Sequence, residues 1–227
     1  MGPPSLKAEV LKLSREKDNL LRIGLLLEAC NILLRELFDY MLPPNMFAGV
    51  LCLPCVNRDL QWLKKNEVKL VYPSGKHVTS ASFDTSLLVK LLRRMFFTDP
   101  ELQPVGGWDE LPTNVHQNVV DDIVRISFYR NTYAHASYRE INNDVFSDVW
   151  EVIKGAMVRI AEWLPEGSKS WELTIDALVS GPLTFGEKEY EEKLKKLGND
   201  KEAKKTVQEL KASKEAQLKG MFNFFSA

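Results

Sequence analysis

Apolar residues recur along this chain at intervals of three and four, the period of helices that bury one face. From Ser5 to Tyr40 the series Leu6, Val10, Leu13, Leu20, Ile23, Leu27, Leu34 and Phe38 predicts one long helix, closed by Pro43-Pro44, with Gly24 as the point where it would kink. Asn45 to Lys65 predicts a short helix broken at Pro54 and resumed toward Trp62. Val68 to Ser82, with Tyr72-Pro-Ser-Gly in its middle, predicts a loop. Asp84 is placed to cap a helix carrying Leu87, Leu88, Leu91 and Leu92 to about Phe97, because its carboxylate can accept the free amide protons of the first turn. A Pro- and Gly-rich loop holding Trp108 follows. Thr113 or Asn114 then opens a helix to about His135, and Asn143 or Asp144 opens another through Phe146, Trp150, Ile153, Met157 and Ile160 to Trp163, stopped at Pro165.

No alternation of strand length interrupts this series. The expected fold is all-α, an up-and-down bundle of four to five long helices over residues 1–185. Beyond Phe185 the chain turns to Glu and Lys, with sparse Leu194, Leu197, Val207, Leu210 and Leu218 broken at Gly198-Asn199. Residues 186–227 therefore read as a charged helical extension, either a solvated helical pair or a linker or coiled-coil arm toward a further domain. The closing Gly220-Met-Phe-Asn-Phe-Phe is apolar enough to seek cover from the bundle or from another chain.

Composition narrows the class. A chain of 227 residues with 44% hydrophobic content can build a sizeable core. Lys+Arg 30 against Asp+Glu 31 gives a formal charge of -1, which excludes the global basic footprint of a polyanion binder and makes any nucleic-acid contact local. The opening Met-Gly-Pro-Pro-Ser-Leu lacks the apolar core of a signal peptide and has Leu6 where a myristoylation signal needs Ser or Thr. Leu20 to Leu34 is interrupted by Arg22, Glu28 and Asn31 and falls short of the roughly 20 apolar residues of a bilayer span, so no membrane association is expected. Three cysteines, Cys30, Cys52 and Cys55, form no disulfide framework and suit a reducing, cytoplasmic location.

One segment has candidate chemistry: Tyr129-Arg-Asn-Thr-Tyr-Ala-His135. At about 100° per residue, Val119, Ile123, Ile126, Tyr133 and Ala134 fall on one side of a helix with Arg130 among them. A guanidinium there needs a carboxylate such as Asp121, Asp122 or Asp148, a polar cleft, or a subunit interface. Asn131 and His135, four apart, share the adjacent face. Such a trio can serve phosphodiester cleavage without a metal: the histidine takes a ribose 2′-hydroxyl proton, the arginine stabilises charge on the phosphate, and the asparagine orients either. The bland alternative, in which Arg130 pairs with a carboxylate and His135 merely ends the helix, stays open on spacing alone.

Other groups carry less. Cys52-Leu-Pro-Cys55 is half a zinc site without a second pair, since Cys30, His77 and His116 do not supply one, so no metal or cofactor is expected. Trp62, Trp108, Trp150 and Trp163 read as core residues rather than base-stacking platforms, and Arg93-Arg94 and Lys64-Lys65 as complements to helix dipoles.

Three stretches taken together resemble a known family: Ser82-Phe-Asp-Thr-Ser-Leu-Leu-Val-Lys-Leu-Leu-Arg-Arg, Gly107-Trp-Asp-Glu-Leu-Pro, and Asp122-Ile-Val-Arg-Ile-Ser-Phe-Tyr-Arg-Asn-Thr-Tyr-Ala-His-Ala-Ser. With Asp144-Val-Phe-Ser-Asp-Val-Trp following in order, they resemble the HEPN superfamily, in the branch named for the DAZ-interacting zinc-finger E3 ubiquitin ligase, from about Leu26 to Ala161. The resemblance implies a helical bundle that forms a homodimer with two Arg-x-x-x-x-His segments facing each other. It makes Arg130 and His135 the catalytic pair of a metal-independent endoribonuclease acting on single-stranded RNA, with Asn131 as the supporting polar residue. It also implies an alternative, since many members of this branch are interaction modules within larger immune-receptor-like proteins. Where some members carry a modifiable tyrosine two residues after the histidine, this chain has Ser137, with Tyr138 one further.

Overall fold

The computed structural model describes residues 6–51, 63–73, 78–96, 100–134 and 141–181, and among them every regular element is helical. In chain order the α-helices are α1 (Leu6–Met41), α2 (Phe47–Leu51), α3 (Lys65–Val71), α4 (Thr85–Phe96), α5 (Val119–Ala134), α6 (Asn143–Ala161) and α7 (Lys169–Ser180). Single 3₁₀ turns occupy Ser80–Ser82 and Pro100–Leu102. The all-α expectation holds. Cys52, Cys55, Trp62, His77, His135, Ser137, Tyr138 and the extension over 186–227 lie outside the described residues.

The chain divides into two units. Of the described residues, the smaller contains 6–21, 131–134 and 141–143; the larger contains 22–51, 63–73, 78–96, 100–130 and 144–181. In the smaller unit the buried Asn19 amide donates to the Ile141 carbonyl at 3.0 Å and to Asn143 Oδ1 at 2.9 Å, so a side chain of α1 satisfies backbone just ahead of α6. The larger unit holds the main core: Ile23, Leu26, Leu33, Leu34 and Leu37 of α1, Leu87, Leu88 and Leu92 of α4, Val120, Ile123 and Ile126 of α5, and Ile153, Met157 and Ile160 of α6. Phe38 stacks on Phe47 at 5.2 Å between ring centres and meets Phe83 at 6.0 Å, which anchors α2 and the turn before α4 to the end of α1.

Helix starts are fixed by local chemistry where the sequence places a suitable oxygen. Asp84 Oδ1 accepts the Leu87 amide at 2.8 Å, so the expected cap of α4 is in place. Helix α1 runs uninterrupted through Gly24. Helix α5 begins later than the expected Thr113 or Asn114: Asn118 is the cap, its Oδ1 accepting the Asp121 amide at 2.8 Å, and the residues before it remain loop. Helix α3 replaces the first part of the loop expected from Val68. The Glu67 carboxylate closes its first turn on the Lys64 amide at 2.7 Å and also takes Lys90 Nζ of α4 at 2.7 Å.

Helix α7 lies between Pro165 and Phe185, where the apolar pattern predicts no element. It buries only Ile175 completely. Its exposed carbonyls are met from a distance: Arg22 donates to the Leu178 carbonyl at 2.7 Å and to the Gly181 carbonyl at 3.1 Å, a cation at the negative end of the helix. Trp171 Nε1 reaches Glu36 at 3.2 Å, and Lys154 pairs with Asp176 at 2.7 Å.

Two outcomes follow. Asp84→Ala is expected to cost about 1 kcal/mol of unfolding free energy through the lost cap, seen as a lower urea midpoint at unchanged slope. Cys30 is fully buried in α1, and burial pushes its thiol far above the ordinary range, so it stays protonated. Peptide mapping after iodoacetamide treatment is expected to find Cys30 unmodified in the native protein and modified only after denaturation.

Candidate functional site

Helix α5 carries the chemistry-bearing residues. Its first two turns are polar in an unusual way, because Asp121, Asp122 and Arg125 are all buried, the arginine only 2% exposed. Asp122 is the hub. Its Oδ1 accepts Arg125 Nη1 at 2.7 Å and Arg159 Nη2 at 2.7 Å, while its Oδ2 accepts Arg159 Nε at 2.8 Å. Arg125 Nη2 donates to the carbonyls of Thr113, at 2.7 Å, and His116. One carboxylate and two guanidinium groups thus bind α5, α6 and the loop before α5 together.

The electrostatics of the cluster are set by burial. Loss of water pushes the Asp122 carboxyl up from its usual range, against the hydrogen bond and charge of Arg159 and the weaker pull of Arg125. The Arg159 guanidinium is held above its ordinary value, chiefly by its hydrogen bond to Asp122. The two tendencies oppose each other, and geometry decides between them. Both oxygens of Asp122 face N–H donors that do not lose their protons at ordinary pH, so the carboxylate is ionised at neutrality. Next along the helix, burial pushes the Tyr129 hydroxyl up, with Arg125 pulling it down and Asp148 adding to the rise.

The loop over 100–118 has no long helix or strand, yet it is tied down at several points. Gln103 Nε2 donates to the Phe96 carbonyl at 2.7 Å, and the Val105 amide donates to Asp121 Oδ1 at 3.2 Å. Gly107 takes φ 83°, a left-handed conformation that favours glycine, and turns the chain into Trp108. The Arg93 guanidinium lies 5.6 Å from the Trp108 ring centre. Trp108 is thus engaged by a cation; of the tryptophans expected in the core Trp150 is buried, whereas Trp163 is 43% exposed with its ring edge-on to Phe96 at 6.1 Å.

Arg130 and Asn131 sit on the last turns of α5, the first half-buried and the second exposed. Their intended companion His135 lies outside the described residues. The buried face predicted for this helix is present in Val119, Ile123 and Ile126. The residue that sequence reasoning missed is Arg125. Asp122 one turn earlier, in an i, i+3 pair, was the signal that could have found it. Of the three carboxylates considered for Arg130, namely Asp121, Asp122 and Asp148, Asp122 is taken by Arg125 and Arg159.

Beside this cluster opens a cleft of about 210 Å³ lined by Asn114, Gln117, Arg125, Glu151, Val152, Gly155 and Arg159. A Cβ on Gly155 would stand 3.2 Å from Arg159 Nη1, so the guanidinium lies close over the glycine. Among the described residues no three His, Cys, Asp or Glu side chains gather as a metal site, and no helix is long and apolar enough to cross a membrane.

The cluster makes a stability prediction. Asp122→Ala leaves the buried Arg125 without its counter-charge and is expected to cost about 3 to 5 kcal/mol, measured by urea unfolding followed by circular dichroism.

Comparison with known proteins finds one relationship. No curated protein and no solved structure matches the chain significantly. The sequence model of the DZIP3/hRUL138-like HEPN family matches residues 55–210, more than half of the chain, including the Gly107-Trp108 turn, the whole of α5 and the Arg130 to His135 segment. The match begins later than the motif resemblance, which started near Leu26, and reaches into the charged extension. A chain whose helices, capped Ser82 to Arg94 segment and α5 motif all lie in this order belongs to the DZIP3/hRUL138-like HEPN family.

Proposed function

We propose that this HEPN domain pairs with a second copy through its Arg130 to His135 helix and cleaves single-stranded RNA without a metal, in the cytoplasm. The observation that carries this reading is the complete Arg130-Asn131-x-x-x-His135 motif in a member of the family. In the proposed cleft one His135 takes the proton of a ribose 2′-hydroxyl, and the freed oxygen attacks the adjacent phosphorus. The bond to the 5′-oxygen breaks, and the second copy's His135 protonates that leaving oxygen. The products are a 2′,3′-cyclic phosphate and a 5′-hydroxyl. Arg130 stabilises the charge that builds on the non-bridging oxygens, and Asn131 orients the arginine or the histidine. The side chain of Phe128, 40% exposed and one helical turn before Asn131 on the same side of the helix, supports a face that a second copy would cover.

A second reading is favoured by charge. A chain at -1 lacks the basic surface of a dedicated RNA binder, which fits a dimerisation or interaction module of a larger innate-immune or signalling protein. The two readings share the dimer and differ in cleavage.

Purified protein is expected to sediment as a dimer and to cut unstructured RNA equally well with and without a chelator. Cleavage should weaken strongly as salt rises, since phosphate contacts release counterions. Arg130→Ala and His135→Ala are each expected to lower the cleavage rate by about a hundredfold or more. Dimer formation with no cleavage of any RNA pool would select the interaction module, and a monomer at high concentration would remove both readings.

A further inference from the structure

The cleft beside Asp122 has a chemistry that neither the structural cluster nor the α5 motif uses. Arg159 presents two forks. Its Nε and Nη2 hydrogens on one edge are spent on the two oxygens of Asp122. The other edge, formed by Nη1 and the remaining Nη2 hydrogen, makes no hydrogen bond with a described residue, and Nη1 lies over the bare Cα of Gly155. That edge is rigid, because the Asp122 pairing fixes the plane of the guanidinium. It can therefore hold two adjacent acceptors at little further ordering cost.

One helical turn before Gly155, on the same face of α6, stands Glu151. Its carboxylate is exposed, lines the cleft and hydrogen-bonds with no described residue. Gly155 makes the space between the two groups, and Val152 gives it an apolar side. The opposite rim is Asn114 and Gln117, held in place because Gln117 Nε2 donates to the Asn114 carbonyl at 3.0 Å while Arg125 holds the Thr113 and His116 carbonyls.

Charge decides what fits. Two guanidinium groups, Arg125 and Arg159, face two carboxylates, Asp122 and Glu151, so the site is close to neutral and a phosphate would gain little there. A neutral ligand is favoured, with two acceptors side by side on one edge for Arg159 and two donors side by side on another for Glu151. Among the four RNA bases guanine has this arrangement: O6 and N7 on one edge, N1–H and the N2 amino group on the next. Adenine, cytosine and uracil mix donors and acceptors on their pairing edges. A volume of about 210 Å³ is below the roughly 300 to 1,000 Å³ of pockets for drug-sized ligands and suits a single base.

We propose that the cleft between the 113–118 loop and the Glu151, Gly155, Arg159 face of α6 is a guanine-binding pocket. Arg159 donates to O6 and N7, Glu151 accepts from N1 and N2, and the base lies over Gly155 with its sugar toward the Asn114 and Gln117 rim. The guanine comes either from a free nucleotide or from a single-stranded RNA. The pocket does not depend on cleavage at Arg130 and His135, and binding is measured apart from it.

The experiment is calorimetric titration of the purified full chain in two arms. One arm compares guanosine monophosphate with the adenosine, cytidine and uridine monophosphates; the other compares uridine hexamers with and without one central guanosine. Guanine is expected to bind roughly tenfold more tightly than the other bases, the weight of one bidentate pair. Glu151→Gln should abolish that preference, because the amide offers N–H groups where guanine also offers N–H. Since Glu151 is exposed and unbonded, its thermal melting should match the unsubstituted protein. Gly155→Ala should weaken guanine binding as well, by placing a methyl group against Arg159 Nη1. Preference in the nucleotide arm alone supports the pocket with a free nucleotide as its ligand, and preference in the hexamer arm supports it with RNA. Equal affinity for all bases in both arms, or a preference undiminished in Glu151→Gln, would overturn the proposal. A chain that binds guanine but cuts no RNA would sink the ribonuclease reading and leave the pocket standing.

Discussion

The Asp122 carboxylate, shared between Arg125 and Arg159, is the interaction on which the rest of this arrangement depends. A guanidinium that is 2% exposed cannot be left half-satisfied, because removing an ion from water costs several kcal/mol before any pairing is counted. Arg125 is satisfied by three oxygens drawn from two places: the Asp122 side chain on its own helix and the carbonyls of Thr113 and His116 in the preceding loop. The loop therefore cannot move without uncovering a buried charge. That is how a segment of low regular structure acquires fixed positions for Asn114 and Gln117.

The same constraint explains where sequence reading succeeded and where it stopped. Elements with their own cap and their own apolar period were legible, as with Asp84 ahead of the Leu87 to Leu92 series and the Trp150, Ile153, Met157, Ile160 series of α6. Helices without such a period were not. Helix α3 has a local cap in Glu67 but buries only one apolar side chain, Val71, so it shows no periodic series, and α7 has its last carbonyls closed by Arg22, some 156 residues away along the chain. Neither signal is visible in a local apolar pattern. The start of α5 was misplaced for a related reason: the stretch from Thr113 to Gln117 is compatible with a helix, but its carbonyls at Thr113 and His116 are taken by Arg125.

The candidate site was legible in part. Helical geometry drew attention to Arg130 as a cation near apolar positions, and family motifs then gave the segment a meaning. The same geometry passed over Arg125, which is the more deeply buried of the two. What separates them is the partner, and Arg159 lies 37 residues from Asp122 in sequence. A wheel drawn for one helix shows that a charge is misplaced, but it does not show which carboxylate on another helix answers it.

Helix α5 thus divides along its length. Its first two turns carry Asp121, Asp122 and Arg125, and together with Arg159 of α6 these make two carboxylates against two guanidinium groups, so the cluster fixes the helix while adding little to the field outside. Arg130 and Asn131 stand beyond that cluster on the last turns. In the proposed pairing two copies of this end meet, so two Arg130 side chains converge on one cleft. Local positive charge then arises from symmetry rather than from a basic surface. On that proposal a chain with a net charge of -1 would still present a polyanion with a site it prefers. The same proposal would make affinity depend on dimer concentration, because a lone copy offers only half of the charge. A monomer would be held back from RNA by the same near-neutral composition that leaves the dimer's cleft as the place where a phosphate is favoured.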